Sequence, residues 1–220
     1  MSDTDEAIFR EVDEDVRNAE YKKIWDRYGK YLTAVAVAVV VAVAGFQGWK
    51  YYQVKQTEEA SAIYLDAVKK AADGKTEDAL AAFAAVHHDG FKQLAQLRVA
   101  QISADKGDVE KAVAAYDAFA ADAKSDSALA DLARIRAAYV LVDTAKPEEL
   151  LTRLARFEKA GDAWRNSARE ILGLSAWRVK DYAGAKKQMD LILDDSKAPG
   201  ALRQRAQFMN QLITPHLPQK

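Results

Sequence analysis

Three features of the sequence predict an all-α protein: one transmembrane helix, then an α-solenoid of about four helical hairpins closed by a C-terminal capping helix. The first is an uncharged apolar run from Leu32 to Trp49. The second is a composition rich in Ala and poor in Pro and Gly, with charged residues interspersed throughout, which favours helices everywhere. The third is a turn, a small residue and a large residue that recur after the apolar run at intervals of 33, 38 and 35 residues. Residues 1–30 read as an N-terminal arm, 31–52 as the transmembrane helix and 57–220 as the solenoid domain.

The arm begins acidic, with Asp3, Asp5, Glu6, Glu11, Asp13, Glu14 and Asp15. It turns basic toward the apolar run, with Arg17, Lys22, Lys23, Arg27 and Lys30. Ile8, Val12 and Val16 recur every four residues, the spacing of a short amphipathic helix. It reads as a solvated juxtamembrane helix, with a docking helix for a cytoplasmic partner as the alternative.

The eighteen residues from Leu32 to Trp49 make a helix of about 27 Å, close to the ~30 Å hydrocarbon core of a bilayer. Tyr28, Tyr31, Trp49, Tyr51 and Tyr52 stand at its ends, where amphipathic rings favour the headgroup level. A buried strand would explain the Ala-Val alternation, but the run is far longer than a strand and apolar at both alternating positions. A cleaved leader would explain Ala42-Val43-Ala44, but the long acidic segment in front is a poor match to a short basic one. Five basic residues flank the N-terminal end, against Lys50 and Lys55 beyond the other. That bias places the N-terminus in the cytoplasm and the larger domain across the inner membrane, in the periplasm of a Gram-negative cell. Within the run, Ala34, Ala38 and Ala42 share one face, and Ala44 pairs with Gly48. Small residues at this spacing let a second helix approach closely, although alanine is common enough here for chance to produce the pattern.

From Thr57 onward 24 acidic and 24 basic residues balance, so no basic footprint for nucleic acid is present. The chain has no cysteine, which excludes disulfides, thiolate catalysis and cysteine-based zinc sites. The recurring turns lie at Gly74, Gly107, Ala145 and Lys180. Each is followed by a small or apolar residue (Ala79, Ala112, Leu150, Ala185) and, one helical turn later, by a large one (Phe83, Tyr116, Leu154, Met189). Each is preceded by a small residue, Ala67, Ala100, Ala138 or Gly173, where a first helix can pack closely on its second. The segments resemble the helix-turn-helix unit of tetratricopeptide repeats. They depart from it at Ile63, Gln96, Arg134 and Arg169, where a large aromatic is usual, and in lacking a terminal proline. The third unit is the longest and least regular. Residues 201–213, between Pro199-Gly200 and Pro215, form the capping helix.

Catalytic chemistry finds little support. His87 and His88 are adjacent and so on different helix faces, and His216 lies in a proline-flanked tail; a surface role at a helix end suits them better than metal ligation. Phosphate-binding loops and a G-x-S-x-G elbow are missing. The acidic pairs Glu148-Glu149 and Asp194-Asp195 are expected at helix ends, the second simply solvated. No cofactor is expected. A hairpin solenoid binds protein on the concave face lined by its first helices. Gln101, Tyr139, Leu174, Trp177 and Arg178 are the candidates for that face, with core packing an equal reading for Tyr139, Leu174 and Trp177. The Lys and Asn constellation by which some such domains clamp a terminal carboxylate is not identifiable.

Taken together, Tyr28-Gly29-Lys30 before the run, Gly48-Trp49-Lys50-Tyr51-Tyr52 leaving it, the Gly107-Asp108-Val109-Glu110-Lys111-Ala112 unit, and Trp164 through Gly173 to Asp181 and Ala185 resemble the YfgM-type family. These are single-pass inner-membrane proteins with a periplasmic tetratricopeptide-like domain, ancillary to the Sec translocon. The resemblance implies a non-enzymatic adaptor whose partners are the translocon channel subunits, a membrane-anchored periplasmic chaperone of the prolyl-isomerase class, and emerging client proteins, with lipid around the helix. The long acidic arm departs from the family. Two other roles suit the same architecture: a membrane-tethered scaffold for another envelope complex, and an arm that sequesters a cytoplasmic regulator with the far domain as sensor.

Overall fold

The computed structural model describes residues 3–122 and 126–218, with side chains from Lys22 onward except Ile24. The side chains of Ile8, Val12 and Val16 therefore lie outside the described residues. Every regular element described is helical: α1 (Asp3–Ala72), α2 (Thr76–Ala84), α3 (Asp89–Asp105), α4 (Val109–Ala121), α5 (Ser127–Leu141), α6 (Pro147–Leu154), α7 (Arg165–Arg178), α8 (Tyr182–Leu193) and α9 (Gly200–Ile213). The chain divides into two compact units, Met1–Glu59 and Ala60–Lys220.

In the first unit, arm and apolar run belong to one helix, because the sequence places no proline before Pro147. An eighteen-residue window of α1 has a mean hydropathy of 1.9 and none of it is buried within the protein, so this helix is long and apolar enough to cross a membrane. Trp25 lies flat enough against Gly29 that a Cβ there would meet its ring at 3.1 Å. Thr33 turns its hydroxyl back to the Gly29 carbonyl at 2.8 Å, satisfying within the helix the one hydroxyl inside the run. Ala34, Ala38 and Ala42 share an open face with Val37 and Val41.

In the second unit, the sequence register holds in all four repeats. Ala67, Ala79 and Phe83 are buried in the first, and Ala100, Ala112 and Tyr116 in the second. Ala138, Leu150 and Leu154 are buried in the third, and Gly173, Ala185 and Met189 in the fourth. Each repeat has its own apolar cluster, centred in chain order on Phe83, on Tyr116 with Phe119, on Leu154 with Phe157, and on Met189 with Ile192. Full burial of such a side chain contributes about 1.5–3 kcal/mol, so each cluster is a substantial anchor for its hairpin.

Three of the four turns use the same device. Gly74 has φ 77°, Gly107 φ 79° and Lys180 φ 66°, the left-handed conformation that ends a helix. Around each, paired backbone bonds close the first helix: Lys75 N to Lys70 O (2.9 Å) with Gly74 N to Ala71 O (3.1 Å), and likewise at 107–108 and 180–181. Asp108 and Asp181 then cap the second helix by accepting from Lys111 N and Gly184 N. The third turn is different. Ala145 donates its N–H to Leu141 O at 2.8 Å, and Pro147 starts α6 at its first position. The 38-residue spacing arises earlier, between Ala112 and Ala138, where α4 runs 13 residues against 9 in α2. A 3-10 turn, Ala155–Glu158, with Phe157 fully buried and Gly161 at φ 88°, then leads into α7.

Candidate functional site

The first helices of the second unit are the 60–72 segment of α1, then α3, α5 and α7, with α9 in the same position after the last hairpin. Polar side chains join them at intervals close to one repeat. The Nε–H of Arg98 on α3 donates to the Tyr64 hydroxyl oxygen on α1 at 3.4 Å. The Nη1–H of Arg136 on α5 donates to Gln101 Oε1 on α3 at 2.9 Å. Tyr139 on α5 donates to Glu170 Oε2 on α7 at 2.5 Å. Arg205 on α9 grips the same carboxylate with two bonds, Nε to Oε1 at 2.6 Å and Nη2 to Oε2 at 2.8 Å.

The two halves of this ladder differ in charge. Glu170 is buried, and Arg205 neutralises it in the bidentate geometry that a guanidinium offers a carboxylate. The contact holds the Arg205 pKa above its ordinary value, through the hydrogen bond to Glu170 first. Burial, then the Glu170 bond, pushes the Tyr139 phenol up as well, so it remains a proton donor. In the other half a groove of about 390 Å³ opens between α1, α3 and α5. Arg98, Gln101 and Arg136 line it, with Leu94, Leu97 and Leu132 as the apolar wall. Gln101 is held from both ends: its carbonyl oxygen also accepts from the Tyr116 hydroxyl at 3.2 Å, and its amide donates to Asp105 at 2.8 Å.

The five residues expected on the concave face separate into three situations. Gln101 lines the groove and Tyr139 belongs to the Glu170 seam. Leu174 packs, half-buried, on the cluster of the third repeat. Trp177 sits edge-on to Tyr182 and His216, with ring centroids 5.2 and 5.4 Å away, and those two rings stack at 4.5 Å. Arg178 is exposed along part of its length and donates to the carbonyl oxygen of Ala145, across the irregular third turn. Arg98, Arg136, Glu170 and Arg205 complete the ladder and were not picked out by the sequence. The signal was there as charged or aromatic residues about one repeat apart on first helices. Asp195 also differs from its expectation of a solvated helix end. It accepts from Arg165 Nη2 at 2.6 Å, Asn166 Nδ2 at 3.0 Å and the Lys197 N–H at 3.0 Å, which hold its carboxyl well below the usual range. His87 is exposed, and His88 stands at the N-terminal boundary of α3. Among the described residues no group of three His, Cys, Asp or Glu is placed to hold a metal ion.

An apolar helix followed by stacked helical hairpins with a polar ladder along their first helices is the architecture of a repeat-type interaction protein. The chain belongs to the family of tetratricopeptide repeat-like domain proteins, whose model matches residues 22–207. Among curated proteins it is similar to the ancillary SecYEG translocon subunit of Escherichia coli (strain K12), with 29% identity over 196 residues, 87% of this chain and 92% of that protein. These matches bear out the resemblance to the YfgM-type family. No solved structure matches the chain significantly.

Proposed function

We propose that this protein is a membrane-anchored, non-enzymatic adaptor of the Sec translocon. Residues 31–52 cross the inner membrane with the N-terminus in the cytoplasm, and residues 57–220 face the periplasm. The first-helix face of the solenoid there receives a membrane-anchored chaperone of the prolyl-isomerase class and client chains as they emerge. The observation that carries this reading is the extent of the similarity to the translocon subunit: it covers 92% of that protein, so the apolar helix and the repeats are matched together rather than the repeats alone. The charge bias around the apolar helix supports the orientation. The open Ala34, Ala38 and Ala42 face supports docking of the helix against another within the bilayer.

Crosslinking of the full chain in its native membrane, with identification of the captured proteins, tests the proposal. Channel subunits and a prolyl-isomerase-class chaperone are the expected capture. Recovery of other envelope proteins alone overturns it. Replacing Ala38 and Ala42 with Leu should reduce channel capture; undiminished capture would assign the helix to anchoring only and the contacts to the solenoid.

A further inference from the structure

We propose that the groove between α1, α3 and α5 binds a carboxylate-bearing, partly apolar segment of a partner polypeptide through Arg98 and Arg136. The inference rests on the reading of this face as a partner-binding surface, and it names the chemistry that the face selects.

The arginines of residues 60–220 are used in contrasting ways. Arg134, Arg153, Arg156, Arg165, Arg169 and Arg205 are ion-paired. Arg178 and Arg203 donate to backbone carbonyl oxygens. Among the described residues of this segment, Arg98 and Arg136 are the arginines whose bonds go to neutral side-chain oxygens alone, those of Tyr64 and Gln101; Arg169 meets one on Asn166 but is also paired with Asp195. Both line the same groove. The one carboxylate that also lines it, Asp105, is engaged by the Gln101 amide. Gln101 thus holds Asp105 and braces Arg136 while neutralising neither guanidinium.

A guanidinium has five N–H donors, and each of these two uses one. The remaining donors match a carboxylate in bidentate fashion. Leu94, Leu97 and Leu132 form an apolar wall beside those donors, which an inorganic anion would leave uncovered. A polypeptide segment supplies both parts, an anionic group for the arginines and an apolar side chain for the wall.

The test uses the full chain in nanodiscs of zwitterionic lipid and three short labelled peptides. One alternates Asp or Glu with Leu and is C-terminally amidated; one is its Asn/Gln counterpart, also amidated; one is the Asn/Gln counterpart with a free C-terminal carboxylate. Binding is read by fluorescence anisotropy at low and high salt. The amidated acidic peptide should bind, weaken as salt rises, and lose about tenfold or more in affinity with Arg98→Gln or Arg136→Gln. Binding of the third peptide over the second would make a chain terminus a further source of the same anion. Arg156→Gln, outside the groove, should leave affinity unchanged, and thermal melting checks that each variant is folded. Equal binding of the first two peptides, insensitivity to both groove variants, or no binding of any peptide overturns the inference. Loss of channel capture with intact acidic-peptide binding would overturn the translocon reading alone, and the reverse result this inference alone.

Discussion

Lys180 occupies at φ 66° the position that Gly74 and Gly107 fill in the first two repeats. An L-residue there is strained by about 1–2 kcal/mol, partly offset by the greater chain entropy that glycine loses on folding. Lys180→Gly should therefore raise stability by about 0.5–1 kcal/mol, and Gly107→Ala should lower it by about 1 kcal/mol, both read as shifts of the urea midpoint at constant slope. Asp195 makes a second prediction. Its carboxyl is depressed in the folded protein by Arg165, the Lys197 amide and Asn166, so its contribution is fully present above the ordinary carboxyl range and lost as pH falls through the folded value. Wild type should exceed Asp195→Asn in stability at neutral pH, and the gap should close as pH drops below about 4; a gap constant from pH 7 to strong acid would contradict the assignment. Neither residue's role was legible beforehand. A lysine carries no mark of positive φ, and the side-chain partners of Asp195 come from α7, some thirty positions away.

The hairpin is the scale at which the sequence was most readable. A small residue seven before each turn and a small or apolar one five after it, with a large one four further on, reflect a direct physical demand: two helices can approach closely only where a side chain is short, and the next helical turn must fill the space behind it. The demand is tightest at Gly173, where a Cβ would come within 3.2 Å of the Gln188 Cβ and clash with the Met189 methyl. Gly173→Leu should thus cost about 1–3 kcal/mol through displacement of α8, whereas at Gly184, half-buried at the start of that helix, a Cβ would meet the capping Asp181 carboxylate and not a neighbouring helix. The third unit could be flagged as irregular but not drawn, because the burial of Ala145 and Phe157 is a property of the assembled repeat. The ladder along the first helices escaped for a related reason. Its members are ordinary surface residues taken singly, and only the stacking of neighbouring repeats tells an arginine that meets a buried carboxylate from one that faces an open groove.

At the scale of the whole chain, composition and the uncharged run were enough to give the helical class and the apolar helix, since both depend on totals rather than on partners. Sidedness depends on a modest bias in flanking Lys and Arg, and it yields a direct prediction: protease added to spheroplasts should digest the region after Gln56 and spare the N-terminal arm. Digestion of the arm instead would reverse the proposed topology. Within the second unit, the Tyr139–Glu170–Arg205 seam has a consequence for how the fold comes apart. A solenoid ordinarily frays helix by helix from its ends, because each repeat leans only on its neighbours. Detachment of α9 here would strip Arg205 from Glu170 and leave a buried carboxylate bonded to a phenol alone. The backbone amides of α9 should accordingly exchange with deuterium at the pace of α7, in a single cooperative opening. Arg205→Gln would uncouple the two clocks, and the capping helix would then exchange first.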